Sequence, residues 1–219
     1  MNDQSFWHNK WETNEIGFHL NDVHPLLKKF YSDIFLVEEV VFVPLCGKTI
    51  DMTFLQMKGQ KVFGVELSDI AAQSFFQEQY PDCTLTNRLV EQSHFKEFSA
   101  QNIQILVGDY FSLTSELLDG AKQIYDRASL IALPSEMRKP YVKKLNTLFP
   151  KASMLLITLD YDQKIMNGPP FSVDHEEVIE LFSFAKIKQL HRKNIIENEP
   201  KFKSKGLTNF NQTAYHISW

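Results

Sequence analysis

The feature that most restricts the fold lies in residues 41–66. The apolar run Val41-Phe42-Val43 enters a short turn, Pro44-Leu45-Cys46-Gly47-Lys48, and a second apolar run, Val62-Phe63-Gly64-Val65, ends on the carboxylate of Glu66. A strand, a turn, a helix and a second strand closing on an acid about 20 residues after the turn have the spacing of a nucleotide-binding βαβ unit. Strand and helix go on alternating without a repeat or low-complexity segment, which predicts an α/β fold around a mostly parallel sheet.

The turn also restricts the ligand. Only Gly47 stands where three glycines would let a pyrophosphate approach the backbone, so a dinucleotide is disfavoured. Gly47-Lys48-Thr49 imitates the end of a phosphate-cradling loop but lacks its spacing. What remains is an adenosine without a pyrophosphate, with Glu66 accepting hydrogen bonds from ribose hydroxyls. S-adenosylmethionine is the commonest ligand of that kind. On spacing alone the plainer alternative stays open, an ordinary βαβ unit whose Glu66 faces water. Cys46 reads as a small packing residue ahead of a nucleophile, since unreactive cysteines are among the most buried residues.

The 219 residues, 43% of them hydrophobic, suit one domain over 1–219, with a core from 36 to 219 and an extension over 1–35. A net charge of −4 gives no basic field, so nucleic acid is not an expected partner. Residues 1–5 lack a basic start and an apolar core, and no apolar run approaches the ~18 residues of a membrane span. A cytoplasmic protein without a membrane partner is the expectation. Cys46 and Cys83 are too few for a disulfide framework, and the seven scattered histidines show no zinc spacing, so no metal is implied.

Ser68 predicts an N-cap for a helix in which Ala71, Ala72, Phe75, Phe76 and Gln79 recur at helical spacing. Residues 103–107 and 123–128 read as strands, 135–148 as a helix and 154–159 as a buried strand. Asp174 with Glu177 predicts a capping box for a helix whose face is Val178, Leu181, Phe182 and Ala185. Segments 185–196 and 211–219, with no helix between them, should pair as an antiparallel hairpin. Seven strands ending in such a hairpin form the Rossmann-like architecture of class I S-adenosylmethionine-dependent methyltransferases. The first 35 residues fall outside this rhythm and carry Trp7, Trp11 and Phe18, a candidate lid. Aromatics more often anchor a segment in a core, but a cationic sulfonium favours the lid, because aromatic faces attract desolvated cations by about 2 kcal/mol or more.

Several motifs recur in a known order: Trp7-x-x-x-Trp11 with Gly17-Phe18-His19, Pro44-Leu45-Cys46-Gly47-Lys48, Gly64-Val65-Glu66-Leu67-Ser68, Phe75-Phe76-x-Glu78-Gln79, Asp126-Arg127-Ala128-Ser129-Leu130, and Gly168-Pro169-Pro170-Phe171 with His175. From residue 6 to the end the chain resembles the thiopurine S-methyltransferase family, its bacterial members in particular. The resemblance implies that Trp11, Leu45, Glu66 and Arg127 contact S-adenosylmethionine, that Asp109 and Tyr110 lie along the adenine, and that Trp7 to Phe18 cover cofactor and acceptor. It places Trp7, Phe18, Arg127 and Lys201 at the acceptor. Lys201 departs from an arginine expected there, keeping the charge but losing the bidentate fork, which puts acceptor preference in question.

The implied reaction is methyl transfer to the sulfur of thiopurines and of aromatic or heterocyclic thiols, leaving S-adenosylhomocysteine. Orientation carries it, with no catalytic base assigned. Other soft acceptors (selenium or tellurium species, halide, thiocyanate) and a non-catalytic S-adenosylmethionine-binding module are the alternatives. A nicotinamide oxidoreductase is disfavoured by the missing glycines. A monomer acting in detoxification completes the expectation.

Overall fold

The computed structural model describes residues 4–91, 93–118 and 120–219, so the first three residues of the expected lid lie outside the described residues. The chain forms two compact units, one ending at Ile124 and one running from Tyr125 to Trp219.

The first unit contains α1 (Gln4–Glu12), α2 (Pro25–Ile34), β1 (Val40–Val43), α3 (Asp51–Met57), β2 (Lys61–Glu66), α4 (Asp69–Gln79), β3 (Thr86–Leu89), β4 (Lys96–Ala100), β5 (Ile103–Val107) and the start of β6 (Gln123–Asp126). Its strand order is β3-β4-β5-β2-β1-β6. β1 runs parallel to β2, with Val41 opposite Val62 and Val43 opposite Gly64, and parallel to β6. β2 runs parallel to β5, which brings Glu66 opposite Val107. The apolar runs are buried because parallel strands are covered on both faces: Val41, Phe42 and Val65 are fully inside. Ser68 caps α4 as expected, accepting from the Ala71 N–H at 3.4 Å, and Ala71, Ala72, Phe75 and Phe76 are buried.

The expectation of seven strands needs correction, since nine are described. The additional pair is β3 with β4, an antiparallel hairpin joined to β5. Every side chain of β3 is exposed, so no alternation marks it in the sequence; the Arg88–Glu97 ion pair at 2.9 Å crosses the hairpin.

In the second unit the order runs from the end of β6 to β7 (Ser153–Asp160), then across the later strands. The other elements are α5 (Ser135–Leu148), α6 (His175–Leu181), β8 (Lys186–Asn194), α7 (Pro200–Lys203) and β9 (Asn211–Ser218). β9 lies between β7 and β8 and is antiparallel to both, so the predicted hairpin exists. Three local readings change. β6 stops at Asp126, not 128, because that carboxylate accepts the N–H groups of Ser129 and Leu130 and turns the chain. The capping box is half formed: Asp174 accepts the Glu177 N–H at 2.8 Å, while the Glu177 carboxylate is taken by Arg138. Helical turns do separate β8 from β9, at Ile196–Asn198 and α7. They form because Ile196, Leu207 and Phe210 pack with Tyr161 and Met166, and Phe202 stacks on Phe210 at 4.4 Å. Among the described residues no helix is long and apolar enough to cross a membrane.

Candidate active site

Three strand ends of the first unit meet around Glu66. The Cys46 N–H donates to the Val65 carbonyl and the Gly108 N–H to the Glu66 carbonyl, both at 2.9 Å, so the segments leaving β1 and β5 are tied to the end of β2. The Glu66 side chain is held by backbone: Oε2 accepts the Gly47 N–H at 2.8 Å and Oε1 the Ser68 N–H at 2.9 Å. At 6% exposure it does not face water, which removes the plainer alternative. Burial pushes its carboxyl above the ordinary value, and the N–H groups of Ser68, Gly47 and Leu67 together with the charge of His8 draw it back. A carboxylate oxygen can accept more than one hydrogen bond, so capacity remains for a diol.

The turn itself is strained. Leu45 and Gly47 both have positive φ, +42° and +53°. For Leu45 this costs on the order of 1–3 kcal/mol, the kind of strain that concentrates at ligand sites. Gly47 is favoured twice over, because its φ suits glycine and a Cβ there would stand 3.2 Å from Cζ2 of Trp11, so the ring would have to give way slightly. Lys48 pairs with Glu78 of α4 at 2.6 Å and ties the turn to that helix, a role the motifs contain but spacing alone does not reveal.

The lid aromatics come together. Phe18 packs edge-on against both Trp7 and Trp11, with centroids 5.7 Å apart in each pair. Trp11 is buried against Gly47, whereas Phe18 is 38% exposed. One ring anchors α1 and the others stay accessible. At the end of β5, Asp109 accepts the Phe111 N–H at 2.9 Å and caps the helical turn Tyr110–Ser112; Tyr110 is buried. Arg127 and Lys201 belong to the second unit. Arg127 is partly exposed and directly follows β6; Lys201 is exposed on α7, 6.0 Å from the Phe202 ring. Cys46 is buried, and burial followed by the charge of Glu66 raises its thiol well above the ordinary value, so it serves packing.

The fold is that of class I S-adenosylmethionine-dependent methyltransferases. Among solved structures, a SAM-dependent methyltransferase from Anabaena variabilis superposes with a TM-score of 0.67 at 16% identity, covering 99% of this chain and 95% of that one. The Burkholderia thailandensis 1,6-didemethyltoxoflavin-N1-methyltransferase, bound to its substrate and S-adenosylhomocysteine, gives 0.59 at 13% identity, covering 97% and 86%. The family model for thiopurine S-methyltransferase matches residues 2–218. Thiopurine S-methyltransferases of Vibrio atlanticus and Pseudomonas fluorescens are 46% and 42% identical to the chain; the first match covers 99% of this chain and 98% of its relative, the second 97% of each. The chain belongs to the thiopurine S-methyltransferase family.

Proposed function

We propose that this protein transfers a methyl group from S-adenosylmethionine to the sulfur of thiopurines and related aromatic or heterocyclic thiols. The observation that carries the reading is the buried Glu66 carboxylate, fixed by the Gly47 and Ser68 N–H groups, with the Trp11 ring packed on Gly47. This arrangement fits an adenosine: a pre-oriented acceptor for a ribose diol, beside a turn too glycine-poor for pyrophosphate. When bound, the cofactor supplies an electrophilic methyl on a cationic sulfur. Glu66 would hold its ribose, Leu45 and Trp11 would pack on it, and Asp109 and Tyr110 would border the adenine. Arg127 is assigned to both cofactor and acceptor, and Trp7, Phe18 and Lys201 to the acceptor.

With the cofactor held this way, an acceptor sulfur would take the methyl group in line, the new S–C bond forming as the old one breaks and its electron pair remaining on the sulfur of S-adenosylhomocysteine. A thiolate acceptor needs no general base. Cys46 is unsuited to compete as a nucleophile, because its raised pKa keeps it protonated. The chain's contribution is alignment and exclusion of water by the aromatic cover, and alignment alone can supply about 7–11 kcal/mol. We read the working form as one 1–219 domain acting as a cytoplasmic monomer on small molecules, without nucleic acid or membrane partners.

The test is incubation with methyl-labelled S-adenosylmethionine and 6-mercaptopurine. S-methylated product and S-adenosylhomocysteine in equal amounts are expected. Cofactor binding without product from any aromatic or heterocyclic thiol would overturn the acceptor class.

A further inference from the structure

We propose that Arg138 and Tyr141 are positioning residues for the turn that carries Arg127, holding it at both ends from one face of α5. The inference rests on the methyl-transfer reading, in which Arg127 touches the reactants.

Arg138, Tyr141, Val142 and Leu145 follow helical spacing and all are buried, so the guanidinium lies within the apolar stripe of α5 at 4% exposure. A charge there is costly unless fully paired. Arg138 Nε donates to the Leu133 carbonyl at 2.9 Å, and Nη1 donates to both Glu177 oxygens at 2.7 and 2.6 Å. One turn further along α5, the Tyr141 hydroxyl donates to Asp126 Oδ2 at 2.7 Å. The other Asp126 oxygen accepts the N–H groups of Ser129 at 2.9 Å and Leu130 at 3.3 Å. Residues 126–133 are therefore tied to α5 at their first and last members, with Arg127 inside the loop so formed.

A second segment is fastened to the same clamp. The Phe171 N–H donates to the Ile131 carbonyl at 2.7 Å, and the Arg138 guanidinium lies 5.8 Å from the Phe171 ring centroid. Gly168 leaves room for that ring, since a Cβ there would meet it at 2.5 Å. The Gly168-Pro169-Pro170-Phe171 motif is thus docked on the Arg127 turn. An aliphatic residue at 138 would fill the stripe without desolvating a charge; what only arginine supplies is the set of directed contacts to Leu133, Glu177 and Phe171.

The experiment compares Tyr141→Phe and Arg138→Lys with Val178→Ala, a cavity variant at a buried apolar position of α6. Residue-resolved amide hydrogen exchange and kinetics with 6-mercaptopurine are measured where all variants are folded. Loss of a hydrogen bond to a carboxylate predicts about tenfold faster exchange at Ser129 and Leu130 in Tyr141→Phe. Acceptor KM rises severalfold in both test variants, more than kcat falls, and Val178→Ala reproduces neither effect. Unchanged exchange at those two amides, or an acceptor KM change equal to that of Val178→Ala, overturns the proposal. Should the unsubstituted protein fail to methylate thiols, the acceptor reading fails, and the exchange data alone decide whether α5 holds the turn.

Discussion

At Cys46 the sulfur occupies the space a side chain would need at Gly64, since a Cβ built there comes within 2.8 Å of Sγ. A glycine inside a central strand is unfavourable by itself, and here the neighbouring turn explains it. Gly64→Ala should destabilise the protein by about 1–3 kcal/mol through overpacking. The same change in a Cys46→Ala background should cost less than half as much, a coupling that urea denaturation of the four proteins in a double-mutant cycle would measure. Additive effects would mean that the strain lies elsewhere. Glu66→Gln keeps the size but loses the charge and turns one accepting oxygen into a donor facing a backbone N–H. Charge-assisted hydrogen bonds contribute about 1.5–3 kcal/mol each, so S-adenosylmethionine affinity by calorimetry should fall by one to two orders of magnitude. Glu66 was legible because its position follows from strand spacing. The seat of Trp11 on Gly47 was not, because no local pattern links a helix face to a distant turn, and Arg138 is visible in the sequence only as a charge on an apolar stripe.

Among the elements, α4 and α5 could be read from periodicity because each buries one continuous face, and β5 and β7 because each is a short apolar run buried on both faces. β3 buries nothing, and the turns between β8 and β9 take their order from Phe202 and Ile196 meeting residues on other segments, so neither left a local pattern. The β9 strand carries an acid-sensitive point. His216 bonds Ser153 Oγ at 2.9 Å across to β7, and burial, followed by the charges of Lys188 and Lys186, lowers its pKa from the usual 6.5. The native state then resists a proton that the unfolded chain accepts. Its contribution is therefore present above pH 6.5 and is lost as pH falls through the depressed native value. The urea midpoint should drop between pH 7.5 and pH 5 by more in the unsubstituted protein than in His216→Gln, whose side chain does not titrate. Equal drops would show that the acid sensitivity arises from other groups.

For the molecule as a whole, two titrations should separate. Cofactor binding depends on an ionised Glu66, whose pKa burial has raised, so S-adenosylmethionine affinity should weaken on acidification at a higher pH than an ordinary carboxylate would dictate. That limb belongs to the protein and should be the same for every acceptor, as well as absent from Glu66→Gln. Methyl transfer at saturating cofactor answers to a different group. With Cys46 held as a thiol, and Tyr215 pushed up to about 12 chiefly by burial, neither can serve as a base near neutral pH. The thiolate fraction of the acceptor should then set the rate. The kcat/KM for the acceptor should rise with pH to a plateau at each acceptor's own pKa, early for acidic heterocyclic thiols and later for alkyl thiols. Calorimetric S-adenosylmethionine affinity from pH 5 to 9, set beside a series of thiols of graded acidity assayed over the same range with cofactor saturating, separates the two limbs. A midpoint fixed across the series would reveal a general base on the protein, and catalysis by alignment alone would have to be abandoned.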